Sequence, residues 1–376
     1  MTNTEIRPFR IEVPTATLDD LRDRLARTRW ADDLPGTGWE RGVPASDLKE
    51  LVAYWSAKYD WRAAEASLNH YPQFITTVDG QDVHFLHVRS AQPTAIPLLL
   101  LHGWPGTPAD YLEMISPLTD PAQADAPAFH LVIPSLPGHG FSGPVTEQGW
   151  NDGRIAAALA ELMARLGYDR YGVQGGDHGA FIGPRIARHD PEHVIGVHAN
   201  GLVTFPTGDP ADMAALTDAE KRRLGAMKQF QDDGSAYMQV FGTRPNTIAH
   251  LLTDSPAGQL GWIAEKYKEW SDQPIDQDKM LTTVSTYWFT KTAGSAASLY
   301  YERFHDSAMF APSPRGTVPT GVAVFTTGDY AIRRFAEKAH NITHWSEFRS
   351  GGHFPALEVP DLLTGDIREF FGTLAR

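Results

Sequence analysis

Residues 171–191 read YGVQGGDHGAFIGPRIARHDP, and no other stretch limits the possible folds as much. A short apolar strand from Tyr171 runs into two glycines. An acid, a histidine and a third glycine follow, and then a helical pattern that ends near Pro191. A strand that passes into a helix through so tight a turn belongs to an alternating strand–helix architecture, whose sheet is parallel and covered on both faces. The side chain at the apex of that turn, Asp177, is offered to whatever binds beyond the strand end.

The rest of the chain fits this frame. PLLLLH, HLVIPS, YGVQG and VIGVHAN read as buried strands, with the helix GRIAAALAELMARLG between the second and third. Residues 206–316 interrupt the rhythm with helix formers and aromatics and few strand signals. TGVAVFTTGD and ITHWSEFRSGGHF then resume it before a last helix, DLLTGDIREFFGTLA. A sheet domain split by a helical insertion is the expected result. Before Pro97, ATLDDLRDRLARTRW sets Leu18, Leu21 and Leu25 on one helical face, with Thr17 and Asp20 spaced as a capping box. SDLKELVAYWSAKY does the same with Leu48, Leu51, Val52 and Trp55, and FITTVDGQDVHFLHV predicts a hairpin turning at Asp79-Gly80.

Composition excludes several classes of function. A formal net charge of -13, from 33 basic and 46 acidic residues in 376, disfavours nucleic acid or an anionic membrane as partner. With no cysteine there is no disulfide, thiolate nucleophile or cysteine-ligated zinc. The pairs in HDPEH (His189, His193) and HNITH (His340, His344) have zinc-ligand spacing. Pro191 breaks the first and neither holds the glutamate of a zinc hydrolase, so both are read as surface histidines and no metal or cofactor is expected. The N-terminus has no apolar leader and no run approaches a membrane span, so a cytoplasmic location is expected.

Four strand ends carry chemistry. HGWPG is a tight turn able to aim the N–H of Trp104 inward, and the N–H of His178 follows the apex acid; together they form a candidate oxyanion hole. Asp329 follows the strand of TTGD, and His353 follows the last strand in SGGHF. The order is nucleophile, acid, histidine, as in a nucleophile elbow with aspartate in place of serine. A carboxylate displaces a leaving group at saturated carbon and leaves an ester on the enzyme. Water activated by His353, oriented by Asp329, can hydrolyse that ester. The leaving group is a halide or the oxygen of a strained epoxide.

With RTRW, WRAAEASLNHYPQF, HGWPG, IPSLPGHGFS, QGGDHG, VPTGVAVF and GGHFPALE in this order, the chain resembles the microsomal-type epoxide hydrolases of the α/β-hydrolase fold over nearly its whole length. The resemblance implies an α/β fold with a mostly parallel sheet, helices on both faces, a helical lid insertion and an N-terminal extension. It divides the chain into 1–95 wrapping the core, core residues 96–205, the lid at 206–316 and core residues 317–376. It also implies two lid tyrosines that protonate the epoxide oxygen, matched to Tyr237 in GSAYMQVFGTRPNT and Tyr301 in SLYYERF, with Tyr300 on a position usually filled by another aromatic. Substrate and partner are then a small-molecule epoxide and water, with the oligomeric state left open and a homodimer among the choices.

Two departures stand out. His178 replaces the family's usual tryptophan after the nucleophile, and FTTGDY is about one residue out of step with the family's spacing from strand to acid; Asp329 is chosen because no other acid lies at that strand end. The alternatives are a haloalkane dehalogenase, which commonly has that tryptophan, and a non-catalytic ligand-binding member of the fold, which has no need of Asp177, His353 and both tyrosines together.

Overall fold

A computed structural model describes residues 4–123, 126–206, 208–309 and 314–374. Its strands, β1 (Arg7–Phe9), β2 (Gln73–Val78), β3 (Gln81–Val88), β4 (Ile96–Leu101), β5 (Phe129–Pro134), β6 (Tyr171–Gly175), β7 (Val194–Asn200), β8 (Pro319–Val324) and β9 (Asn341–Glu347), form one nine-stranded sheet in the order β1-β2-β3-β5-β4-β6-β7-β8-β9. Pairing is antiparallel from β1 to β5 and parallel from β5 to β9. Leu98 to Leu101 are fully buried, as a central parallel strand requires.

The order reverses at β4, which pairs with β5 on one side and β6 on the other. Crossovers leave in opposite directions there, opening a crevice beyond the ends of β4 and β6. HGWPG and GGDHG meet in that crevice because of the strand order.

Helices α1 (Thr15–Ala26), α2 (Ala45–Ala57) and α3 (Trp61–Leu68) precede β2. Leu18, Leu21 and Leu25 are buried as the periodicity predicts. The capping box is not formed: Pro14 caps α1 with extended backbone, so the helix starts before Thr17 and encloses it. Proline lacks the N–H that a helix start would leave unpaired. The hairpin turns as predicted, with Asp79 at φ 50° and Gly80 at φ 78°, the left-handed pair that matches strand twist.

On one face of the sheet lie α5 (Asp152–Arg165) and α6 (His178–His189), whose Leu159, Met163, Ile182 and Ile186 pack with Val173 and Val197 of the sheet. The other face is covered by α4 (Leu112–Thr119) and, after β9, the last helix Pro360–Leu374, whose Phe370 and Phe371 press on the sheet. Between β7 and β8 the described residues include the helices α7 (Pro210–Ala214), α8 (Asp218–Gln229), α9 (Ala236–Thr243), α10 (Pro245–Asp254), α11 (Pro256–Trp270), α12 (Gln277–Thr290) and α13 (Ala293–Phe304). Of these, α9 to α13 share an apolar core with Leu21, Leu25, Val52 and Trp55 of α1 and α2. The joint is also polar: Trp55 Nε1 donates to Ser285 Oγ at 3.1 Å, and Arg24 donates to the Asp254 carbonyl at 3.0 Å.

The reading of HNITH as surface histidines needs correction. His344 is largely buried and bonds Asp366 at 2.8 Å, which also takes His198 at 2.8 Å. A histidine on the last strand is covered by the closing helix, which periodicity within HNITH does not register. His189 and His193 are exposed as read. Among the described residues no group of histidines and acids is placed to hold a metal, and no helix is long and apolar enough to cross a membrane.

Candidate active site

Asp177 sits between β6 and α6 at φ 51° and ψ −115°, a conformation that costs a non-glycine residue roughly 1–3 kcal/mol. Close packing from below holds it there. A Cβ on Gly179 would lie 2.4 Å from the Leu101 carbonyl oxygen, and one on Gly103 would lie 2.2 Å from Asp177 Oδ1. Only glycine lets the α6 start settle onto the end of β4 and lets the HGWPG turn close over the carboxylate.

The two carboxylate oxygens of Asp177 have different surroundings. Oδ1 accepts the backbone N–H of Trp104 at 2.9 Å and that of His178 at 2.7 Å. Oδ2 lies 3.3 Å from His353 Nε2. Burial alone would push this carboxyl up, but neighbouring imidazoles and the N–H bonds hold it well below the usual carboxylate range. The imidazole that matters at neutral pH is His353. The pKa of His178 falls to about 4, because burial and the Arg303 guanidinium disfavour a second cation.

His353 is itself buried, which opposes its charge, yet its pKa is raised by the bond to Asp177. Its backbone N–H donates to the Trp270 carbonyl at 2.9 Å and its ring stands edge-on to Trp270, fixing its orientation. Nδ1 faces the Gly328 carbonyl at 3.4 Å. Asp329 is next along the chain and buried, but its arrangement differs from the expected contact. Its carboxylate accepts the backbone N–H groups of Gly201, Phe325 and Ala331, and among the described residues none of its hydrogen bonds goes to His353. Its charge still favours protonated His353 through space.

Helices α9 and α13 bring two tyrosines together at this site, and the pair differs in one member from the one read in the sequence. Tyr237 on α9 is buried and stacks on Trp104, ring centroids 5.3 Å apart. On α13 the residue that faces it is Tyr300, 2% exposed, with ring centroids 5.9 Å apart. Tyr301 is 37% exposed and stacks on His305 outside the site. Consecutive helical residues point about 100° apart, so only one of two adjacent tyrosines can face inward. Burial raises both inner phenols well above their usual range, so both stay protonated at neutral pH.

Two further residues escaped sequence reading. Arg303, one turn beyond Tyr300, is buried, forks onto Asp152 at 2.7 and 2.8 Å, and also donates to His178 Nδ1 at 2.9 Å. The signal was a charged residue at i+3 from an inward aromatic. Its partner, 151 residues earlier, could not be found by spacing.

Asp177, His353, Tyr237, Tyr300 and Arg303 line one cavity of about 460 Å³, walled elsewhere mainly by apolar side chains such as Phe181, Met238 and Phe304. Across Asp177 lies a much smaller cavity of about 40 Å³, bordered by Asp110, Asn200 and His353. The arrangement offers a largely apolar chamber, with an anionic oxygen at its floor and neutral phenols in its wall.

The sequence pattern of the family described as "Epoxide hydrolase N terminus" matches residues 6–111, and that described as "alpha/beta hydrolase fold" matches residues 96–248. The chain is 42% identical to a Stigmatella aurantiaca protein over 380 residues, covering 98% of this chain and 85% of the relative. It is 32% identical to "Epoxide hydrolase 1" of Sus scrofa, covering 98% and 89%. Among solved structures, the juvenile hormone epoxide hydrolase of the silkworm Bombyx mori superposes with a TM-score of 0.92 at 30% identity, covering 99% of this chain and 95% of that one. The Aspergillus niger epoxide hydrolase gives 0.89 at 31% identity, covering 99% and 97%.

Proposed function

The chain belongs to the epoxide hydrolase family on the α/β-hydrolase fold, and from that premise we propose that it opens epoxides through a covalent ester on Asp177. The carrying observation is the asymmetry of that carboxylate: Oδ1 is held by the Trp104 and His178 N–H groups, and Oδ2 faces His353 at the floor of the cavity walled by the tyrosines.

Oδ2 attacks an epoxide carbon, the C–O bond breaks, and a phenol of Tyr237 or Tyr300 gives its proton to the departing oxygen. The ester no longer carries the charge that raised His353, so the imidazole gives up its proton, which returns by way of solvent to the tyrosinate, and becomes a base. It takes a proton from water, whose oxygen attacks the ester carbonyl carbon. Oδ1 becomes the oxyanion, still facing its two N–H donors. Collapse expels Oδ2 as the second diol oxygen, which takes up the remaining proton of the attacking water, and leaves the water oxygen on the Asp177 carboxylate. Asp329 acts in this reading by its field and by shaping the turn that carries Gly328. Two protonated phenols opposite the carboxylate favour an oxygen leaving group over a halide.

The division into residues 1–95, 96–205, 206–316 and 317–376, a cytoplasmic location, and an epoxide and water as the reacting partners belong to the same proposal. The test is a single turnover with enzyme in excess in heavy-oxygen water. The diol is expected largely unlabelled, with label building up on an Asp177 peptide over repeated turnovers, and His353→Gln is expected to accumulate the ester. Full labelling of the diol in the first turnover would mean direct attack by water and would remove Asp177 as nucleophile.

A further inference from the structure

Arg303 is a buried cation, and its position between lid and core is not explained by the steps above. Its fork onto Asp152 ties α13 to the first turn of α5. Its third contact donates to His178 Nδ1. A guanidinium only donates, so that nitrogen must be the acceptor and the His178 proton must sit on Nε2. Nε2 has no hydrogen-bond partner among the described residues, so the Arg303 bond is what sets the tautomer. The Tyr300 ring meets the His178 ring edge-on, centroids 4.8 Å apart, and lies 5.9 Å from the guanidinium carbon. The cation, the residue after the nucleophile and the lid phenol thus form one packed unit.

We propose that Arg303 is a positioning residue for the epoxide opening described above: anchored by Asp152, it holds His178 neutral and places a fixed cation beside Tyr300, so that the phenol yields its proton more readily to the departing oxygen. Burial favours the neutral phenol, and the guanidinium is the nearby charge that opposes it. Lysine would keep a cation beside Tyr300 but not the fork onto Asp152, so it separates the effect of the charge from that of the fork geometry. A cation held 5.9 Å from the ring acts most strongly when the tyrosinate forms, which is the transition state for opening and not the resting state. Hydrolysis of the ester uses His353 and the N–H pair and gains nothing from Arg303.

The inference rests on the ester mechanism, so the experiment separates the two. All variants are made in the His353→Gln background, where the first step alone is followed by rapid quench, with 1,2-epoxypropane and its 3,3,3-trifluoro analogue as probes. Arg303→Met combined with Asp152→Asn removes both charges of the fork together, which often leaves stability nearly unchanged, whereas removing one strands the other; Arg185, 4.0 Å from Asp152, is partly exposed and keeps contact with solvent. The paired variant is expected to alkylate about ten-fold more slowly with 1,2-epoxypropane, and no more than about three-fold more slowly with the trifluoro epoxide, whose opened oxygen needs less help from an acid. Arg303→Lys, with Asp152 intact, keeps a cation near Tyr300 and is expected to stay within about three-fold of the parent. It also serves if the paired variant does not fold. Equal losses with both epoxides, no loss, or a lysine variant as slow as Tyr300→Phe would each overturn the role of Arg303. Absence of any ester in the parent would overturn the mechanism and this inference with it.

Discussion

Tyr300 and Tyr301 are neighbours of the same chemistry, and of the two only Tyr300 lines the cavity beside Asp177. Tyr300→Phe and Tyr237→Phe are each expected to slow alkylation by roughly ten-fold or more in single-turnover assays, with the double change nearly abolishing it. Tyr301→Phe should stay within about two-fold, because its ring stacks on His305 at the surface. A large effect at Tyr301 would contradict the inward role given to Tyr300. The acid–base directions yield a second expectation. Asp177 ionises well below the usual carboxylate range and the two phenols well above theirs, so alkylation should be flat across neutral pH. Ester hydrolysis needs neutral His353 and should rise with pH to a plateau. In the free enzyme the Asp177 anion raises the His353 pKa; in the ester that anion is gone, so the hydrolysis midpoint should lie below the His353 midpoint of the free enzyme. Stopped-flow rates for the two steps, set beside an NMR titration of His353, check the order of the midpoints.

Among elements, the strand-to-helix turn at Asp177 depends on contact between backbones. Gly179→Ala puts a methyl carbon 2.4 Å from the Leu101 carbonyl oxygen, an atom at the end of a central strand that cannot move aside. The start of α6 must then lift, taking the His178 N–H away from Asp177 Oδ1. A shift near 1 Å there is expected to cost about 100-fold in alkylation, with about 1–3 kcal/mol lost from overpacking. Thermal melting and single-turnover rates of the variant test both parts. Activity like that of the parent, with a small change in melting temperature, would show the turn to be softer than its packing implies.

For the whole molecule, α1 and α2 share one apolar core with helices α9 to α13. Trp55 is 4% exposed within it and bonds Ser285 on α12. Trp55→Ala should cost about 3–5 kcal/mol by cavity formation, measurable by denaturant unfolding. Because α12 leads directly into α13, the same change should loosen the tyrosine that α13 carries and raise KM. A stability loss without any kinetic change would mean that the lid keeps its geometry independently of residues 4–68.

The sheet's alternation, the hairpin at Asp79-Gly80 and the strand-to-helix turn at Asp177 were legible from neighbouring residues, because each depends on local periodicity or on backbone freedom at particular glycines. Asp177, His353 and the N–H groups of Trp104 and His178 could be named because they follow strands, and strands are short apolar runs with clear ends. What lay beyond local pattern was direction and partnership. Two adjacent tyrosines on a helix differ only in which way the helix is turned, and that is decided by the packing of α13 on α9 and α10. Asp329 was placed by its strand, but the backbone N–H groups it binds come from three separate points in the chain. The Asp152–Arg303–His178 contact joins a core helix, the lid and the nucleophile turn, and a charge buried among apolar neighbours reveals its purpose only when the fold has brought its partners to it.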